Sequence, residues 1–210
     1  MKLFLTSKAF EDENVNKKIR LNIGIDINKA KVMFIPTALS GVYNFDKYLP
    51  DLIRFGFKEE NIIIFDEKHA DDFKNLNIDV IYVCGGNTFT LLKLIKECKF
   101  DKALINYVNK GVIYIGRSAG THLLTKNIEH VLNFDENTVG LKDFNALGIF
   151  NGIIFCHYSK QREKQYLKEV EKNTYNIYKI TDEDVIIVED NKVILWGRIL
   201  WKKWYIPKKL

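Results

Sequence analysis

Six short, nearly continuous apolar runs rich in valine and isoleucine recur along the chain: KLFLT (2–6), KVMFIPT (31–37), NIIIF (61–65), DVIYVC (79–84), GVIYIG (111–116) and GIIFC (152–156). A strand with one wet face would alternate apolar and polar residues, so unbroken runs of this length predict strands buried on both faces, as in a parallel sheet. Between them the apolar residues fall at helical spacing: Tyr43, Leu49, Leu52, Ile53 and Phe55, then Phe89, Leu91, Leu92 and Ile95, then Leu104, Ile105 and Val108. Strand alternating with helix predicts an α/β fold in three layers, a mostly parallel central sheet with helices on both faces. Towards the C-terminal end, VIIVEDNKVILWG reads as two strands around a polar turn at 189–192, a β-hairpin that closes one edge.

No internal repeat, low-complexity tract or Pro/Gly/Ser linker divides the 210 residues, so a single domain over 1–210 is expected. An apolar content of 47% with 28% charged residues is that of an ordinary water-facing globule. No apolar run reaches the roughly 18 residues needed to span a bilayer, so a membrane partner is not expected. The opening MKLFLTSKAF lacks a secretory apolar core, and Cys84, Cys98 and Cys156 have neither disulfide-framework nor zinc-type spacing. A cytoplasmic protein without metal or cofactor is the expectation, with monomer and homodimer both left open. The net charge of +5 comes from scattered lysines with a surplus only in the tail WKKWYIPKKL. That pattern argues against nucleic acid, while a mild positive field steers small acidic substrates. In the tail, Trp201, Trp204 and Ile206 alternating with lysines suggest an edge element.

In parallel sheets the ligand crevice lies beyond the carboxyl ends of the strands, so the residues just after each run carry the chemistry. After DVIYVC come Gly85 and Gly86, then Asn87 or Thr88 as a helix cap. Paired glycines let backbone approach a ligand and present free N–H groups to developing negative charge. After GVIYI comes GRSAG (116–120), the G-x-S-x-G pattern of a strand–turn–helix that exposes a nucleophilic serine, Ser118, with the Ala119 N–H aimed at the same spot. The competing reading makes Ser118 an ordinary helix N-cap. After GIIFC comes His157, the one histidine of four that directly follows a strand; His69 falls in a polar loop, and His122 and His130 fall in or after the elbow helix. A serine nucleophile needs a base within hydrogen-bond reach, and a histidine base is usually oriented by a carboxylate. Asp135, Glu136 and Asp143 lie between Ser118 and His157, and spacing does not choose among them.

GGNTFTLL (85–92), YIGRSAG (114–120), DENTVGLKDFNALGIF (135–150) and CHYSKQR (156–162), in this order, resemble the peptidase E (alpha-aspartyl dipeptidase) family of serine peptidases, S51. That family shares its core with class I glutamine amidotransferases and counts cyanophycinase as a relative. The resemblance runs from the first strand to the terminal hairpin. It implies a serine-type peptidase of the dipeptidase kind, acting on small peptides near their N-terminus through an acyl-enzyme. It carries the nucleophile to Ser118, the base to His157 and the oxyanion hole to the N–H groups of Gly86 and Ala119. It puts the acidic member at Asp135, counting back from His157, with Glu136 as the alternative because some relatives use glutamate. Asn87, Arg117 and Arg162 are the expected substrate contacts, the arginines because a guanidinium can hold the carboxylate of an acidic first residue bidentately. The alternative reading is an amidotransferase-like or cyanophycinase-like protein that binds a small amide or acidic ligand, with or without chemistry.

Overall fold

The computed structural model of the chain describes residues 1–39, 48–190 and 192–196. Tyr43, Asn191 of the hairpin turn and the tail residues Trp201, Trp204 and Ile206 lie outside these residues. Seven strands form one sheet: β1 (Lys2–Thr6), β2 (Val32–Ile35), β3 (Ile62–Ile64), β4 (Val80–Val83), β5 (Ile113–Arg117), β8 (Val185–Glu189) and β9 (Lys192–Trp196), in the spatial order β3-β2-β4-β5-β1-β8-β9. The first five pair in parallel. β8 then adds antiparallel to β1, and β9 antiparallel to β8, with Val185 opposite Trp196 and Glu189 opposite Lys192. The expected hairpin is therefore present and closes one edge.

Successive residues of a strand point to opposite faces, and every residue of β2, β4 and β5 is buried, so both faces of the sheet centre are covered. The cover comes from helices α1 (Glu13–Ile23), α2 (Leu49–Phe55), α3 (Thr88–Glu97), α4 (Asp101–Asn109) and α5 (Ala119–Leu123), with α6 (Glu163–Lys172) farther out. α1 was not foreseen because only Val15, Ile19 and Ile23 carry its apolar stripe. Its ends are nevertheless well marked. The Asp12 carboxylate accepts the N–H groups of Asn14 and Val15 at one end, and Gly24 ends it in the left-handed region at φ +77°. Phe10, just before α1, packs its ring 4.4 Å from Phe55 of α2 and 4.8 Å from Tyr82 of β4. Burying aromatic side chains like these contributes roughly 2 kcal/mol each and welds the layer to the sheet.

One strand departs from expectation. GIIFC does form a strand, β6 (Ile153–Phe155), but it pairs in parallel with β7 (Ile177–Lys179) in a separate two-stranded sheet. An apolar run reports burial, and burial need not come from the central sheet: Phe155 lies against Phe134 and Tyr166, at 5.0 and 5.7 Å between ring centroids. Among the described residues, no helix is long and apolar enough to cross a membrane.

Candidate active site

Ser118 stands where β5 turns sharply into α5. Its backbone takes φ +46° and ψ −103°, a conformation that costs of order 1–3 kcal/mol for a residue with a side chain and survives only where its surroundings dictate it. Close contact dictates it here. A Cβ on Gly116 would meet the Gly120 carbonyl and Thr121 nitrogen at 2.9 Å, and a Cβ on Gly120 would sit 2.2 Å from the Val83 oxygen, so neither position admits a side chain. The turn is also tied to β1 and β5. The Ser118 N–H donates to the Thr6 carbonyl (2.9 Å), Thr6 Oγ1 donates to the Gly116 carbonyl (2.8 Å), and the Tyr114 hydroxyl donates to the Gly120 carbonyl (2.6 Å).

The Ser118 side chain makes no helix cap. Its Oγ lies 3.0 Å from His157 Nε2, although the two residues are 39 positions apart. His157 follows β6 and also has a positive φ, +55°, held by its N–H donating to the buried Ser7 hydroxyl oxygen at 2.9 Å. Its Nδ1 lies 2.6 Å from Asp182 Oδ1. With the Nδ1 proton donated to that carboxylate, Nε2 is left to accept from the serine hydroxyl, and the three groups form a continuous relay. Burial pushes the Asp182 carboxyl up, but the hydrogen bonds and charges of His157 and Lys8 outweigh it and hold the group below the usual carboxylate range.

The carboxylate at His157 is thus Asp182, and the expectation of Asp135, with Glu136 as alternative, is corrected on this point. Asp135 Oδ2 accepts the Thr88 N–H at the start of α3 (2.9 Å), while Glu136 offers its backbone oxygen to Asn87 Nδ2 (2.8 Å). The whole stretch is fastened to α3: Lys93 donates to the Val139 carbonyl, and Lys96 to the Asp143 carboxylate and the Asn145 carbonyl. The Asp135 and Asp143 carboxylates are thus both engaged by that helix. Asp182 lies 25 residues beyond His157, outside the segment between Ser118 and His157 that supplied the candidate acids. The usable signal was the pattern already applied elsewhere, an acid directly after a short apolar run, here NIYKI followed by TDED.

Ala119 directly follows Ser118, and a Cβ on Gly85, the neighbour of Gly86, would lie 3.5 Å from the Ser118 Cβ. Gly86 sits at φ +147°, and a Cβ there would be 2.3 Å from the Ala38 carbonyl oxygen, so the loop is packed against backbone and fixed. Among the described residues, neither the Gly86 nor the Ala119 N–H has an acceptor. Asn87 caps α3, its Oδ1 accepting the Thr90 N–H (2.9 Å) while its Nδ2 is spent on Glu136. Arg117 is 9% exposed, ion-paired to Glu11 at 2.6 Å and stacked over the Tyr48 ring at 4.8 Å. Arg162 stacks over the Phe134 ring at 4.4 Å and, among the described residues, has no ion pair. Both thiols near the site are inert: burial pushes Cys84 up to about 12 despite Arg117 nearby, and burial raises Cys156 as well. A cavity of about 280 Å³ bounded by Lys126, Gly152, Thr174 and Asn176 opens at the opposite ends of β6 and β7 and contains none of these groups.

The class that this fold and elbow define is matched by sequence comparison. The model of peptidase family S51 covers residues 3–196. The chain belongs to peptidase family S51. An uncharacterised peptidase of Pasteurella multocida is 28% identical over 208 residues, covering 93% of this chain and 97% of its own length. An uncharacterised peptidase of Listeria monocytogenes is 31% identical over 121 residues, 55% of this chain; the match spans only 59% of that relative. Peptidase E of Streptomyces coelicolor is 26% identical over 145 residues, 63% of this chain and 59% of its own length. Among solved structures, a Listeria monocytogenes protein provisionally assigned as a peptidase E superposes with a TM-score of 0.78 at 26% identity, covering 93% of this chain and 98% of the other. A peptidase from an acI-B1 actinobacterium shares the fold at a TM-score of 0.65 and 16% identity, over 93% of this chain and 87% of its own.

Proposed function

We propose that the protein is a serine peptidase that hydrolyses short peptides near their N-terminus through an acyl-enzyme on Ser118. The observation that carries this reading is the relay itself: a serine forced into a strained turn, 3.0 Å from an imidazole whose other nitrogen meets a carboxylate at 2.6 Å. Ser118 Oγ attacks the scissile carbonyl as His157 Nε2 takes its proton. Asp182 keeps the imidazole in the required tautomer and stabilises the imidazolium. The oxyanion rests on the Gly86 and Ala119 amides, which need no reorganisation to receive it. His157 then protonates the leaving amine, and water, activated by the same imidazole, releases the acyl group.

A preference for an acidic first residue rests on Arg162. Of the two candidate clamps, Arg117 already has Glu11, whereas the Arg162 guanidinium lies over an aromatic face and, among the described residues, has no ion pair, which leaves its donors for a carboxylate. The experiment is amine release from a panel of Asp-X, Glu-X, Asn-X and neutral dipeptides, with Ser118→Ala alongside and a fluorophosphonate to label the serine. Cleavage and labelling by the wild type alone are expected, with acidic first residues preferred and that preference lost in Arg162→Met. A folded wild type that neither cleaves nor labels would overturn the reading in favour of a binding protein on a peptidase fold.

A further inference from the structure

Three consecutive residues at and just beyond the carboxyl end of β1 each hold one member of the relay. The Thr6 carbonyl accepts the Ser118 N–H at 2.9 Å. The Ser7 hydroxyl oxygen accepts the His157 N–H at 2.9 Å. Lys8 Nζ lies 3.1 Å from Asp182 Oδ2, the carboxylate oxygen that His157 does not use. Ser118, His157 and Asp182 come from three different turns, after β5, β6 and β7, and β6 and β7 belong to a different sheet from β5. We propose that Thr6-Ser7-Lys8 is the alignment element of the site, with Ser7 and Lys8 as positioning residues that set the distance and protonation of the His157–Asp182 pair against Ser118. The inference rests on the proposed peptidase reading and adds to it the device that brings two sheets into catalytic register.

The local structure fits that role. Thr6 Oγ1 accepts the Ala9 N–H at 2.9 Å and so closes the turn that presents Ser7 and Lys8. Ala9 itself takes a positive φ of +44°, which swings the chain away from the site immediately afterwards. Ser7 is completely buried, and its hydroxyl has the Ile180 carbonyl within 3.5 Å on the β7 side, so one side chain touches the ends of both β6 and β7. The turn carrying Asp182 is braced as well: the Asp184 carboxylate accepts from the Thr181 N–H and hydroxyl, and Lys18 donates to the Glu183 carbonyl. The titratable and charged groups facing the pair are Lys8 from the turn after β1, Cys156 from the end of β6, and His122 from α5. Of these, Lys8 is the one with a permanent charge. A cation on Asp182 lowers the pH at which that carboxylate is lost, so removing Lys8 moves the acid limb of activity to higher pH.

The test measures kcat, KM and the pH profile of kcat/KM for wild type, Lys8→Met, Lys8→Arg and Ser7→Ala on a dipeptide the wild type cleaves. The rate of Ser118 labelling by a fluorophosphonate is followed in parallel. Because the ion pair is partly exposed, Lys8→Met is expected to lower kcat by roughly two- to fivefold with KM nearly unchanged. Its acid limb should move up in pH and its labelling should slow. Lys8→Arg restores all of these. About 1 M salt, which shortens the screening length to about 3 Å, brings the wild type towards Lys8→Met and leaves Lys8→Met where it was. Ser7→Ala is expected to lose roughly tenfold in kcat, because the buried His157 N–H is left without its acceptor. Unchanged kcat and pH profile in Lys8→Met, or a rise in KM alone, would overturn the alignment role. A wild type without cleavage or labelling would instead remove the peptidase reading, and the alignment role with it.

Discussion

The two halves of the site are built on opposite principles. The serine half, β5 and α5, is held by backbone and sterics: glycines at 116 and 120 with no room for a Cβ, and a buried strand on either side of β5. The histidine half, β6 and β7 with the turns that follow them, is a two-stranded sheet whose working groups are partly exposed. His157 and Asp182 retain 31% and 41% of their side-chain surface and are held by side-chain hydrogen bonds. Ser118 is therefore set by shape and His157 by polarity. Damage to the first should be all-or-none, whereas damage to the second should be graded by which polar group is lost.

The largest effect expected on the polar side is Asp182→Asn, which keeps the shape but removes the charge that fixes the imidazole tautomer. A loss of about 10⁴ in kcat is expected, with the folded state intact by circular dichroism. Asp135→Asn sharpens the contrast. It should leave Ser118 labelling near wild type and cost about 1 kcal/mol in denaturant unfolding through the weakened contact to the Thr88 amide. If the two variants exchanged phenotypes, the assignment of the carboxylate at His157 would be wrong.

On the shape side, and on the proposed mechanism, Gly86→Val forces a Cβ against the Ala38 carbonyl and so displaces one of the two proposed oxyanion donors. A fall of about 10²–10³ in kcat is expected, with substrate binding less affected. Gly120→Ala should act through folding first: the clash with the Val83 carbonyl is backbone against backbone, and a loss of about 3 kcal/mol or more in unfolding free energy is expected, read by urea titration.

A pH-dependent effect lies at the seam. His122 of the serine half and His130 of the following loop are both buried, with ring centroids 5.2 Å apart, and each has an unpartnered Nδ1. Burial pushes His130 down to about 4 from the usual 6.5, and burial also lowers His122. Between pH 6.5 and 4 the unfolded chain takes up a proton at position 130 that the folded chain refuses. Stability is thus fully present above that window, falls as pH drops through it by an amount on the order of 3 kcal/mol, and levels off below it. His130→Gln keeps a donor towards the Ile154 carbonyl, which His130 Nε2 meets at 2.9 Å, and removes the titration. Thermal unfolding followed against pH should flatten in that variant.

The same division explains what could be read in advance. Periodicity located the main-sheet strands, the hairpin and the elbow because sterics leave a mark in composition: apolar runs where both faces are buried, glycine where no Cβ fits. The position of β6 could not be read that way, since an apolar run says that a strand is covered and not by which sheet. The partner of His157 was missed for a related reason. A carboxylate becomes an orienting group through the tertiary approach of three turns, while the Asp135 carboxylate is taken by the first amide of α3 and that of Asp143 by Lys96 of the same helix. Ser7 and Lys8 passed unnoticed as ordinary polar residues in the opening stretch, although a polar pair directly after a buried strand obeys the rule that located Ser118 and His157.

The place of β1 in the sheet has a consequence for the order of events during synthesis. It pairs with β5 and β8, and the hydrogen bond from the Thr6 amide to the Thr121 hydroxyl spans 115 positions of chain. The strand that carries the alignment element therefore leaves the ribosome long before either of its neighbours exists, and loop closure over such a distance is paid late. An unfinished chain can form the elbow's local turn, but not the relay.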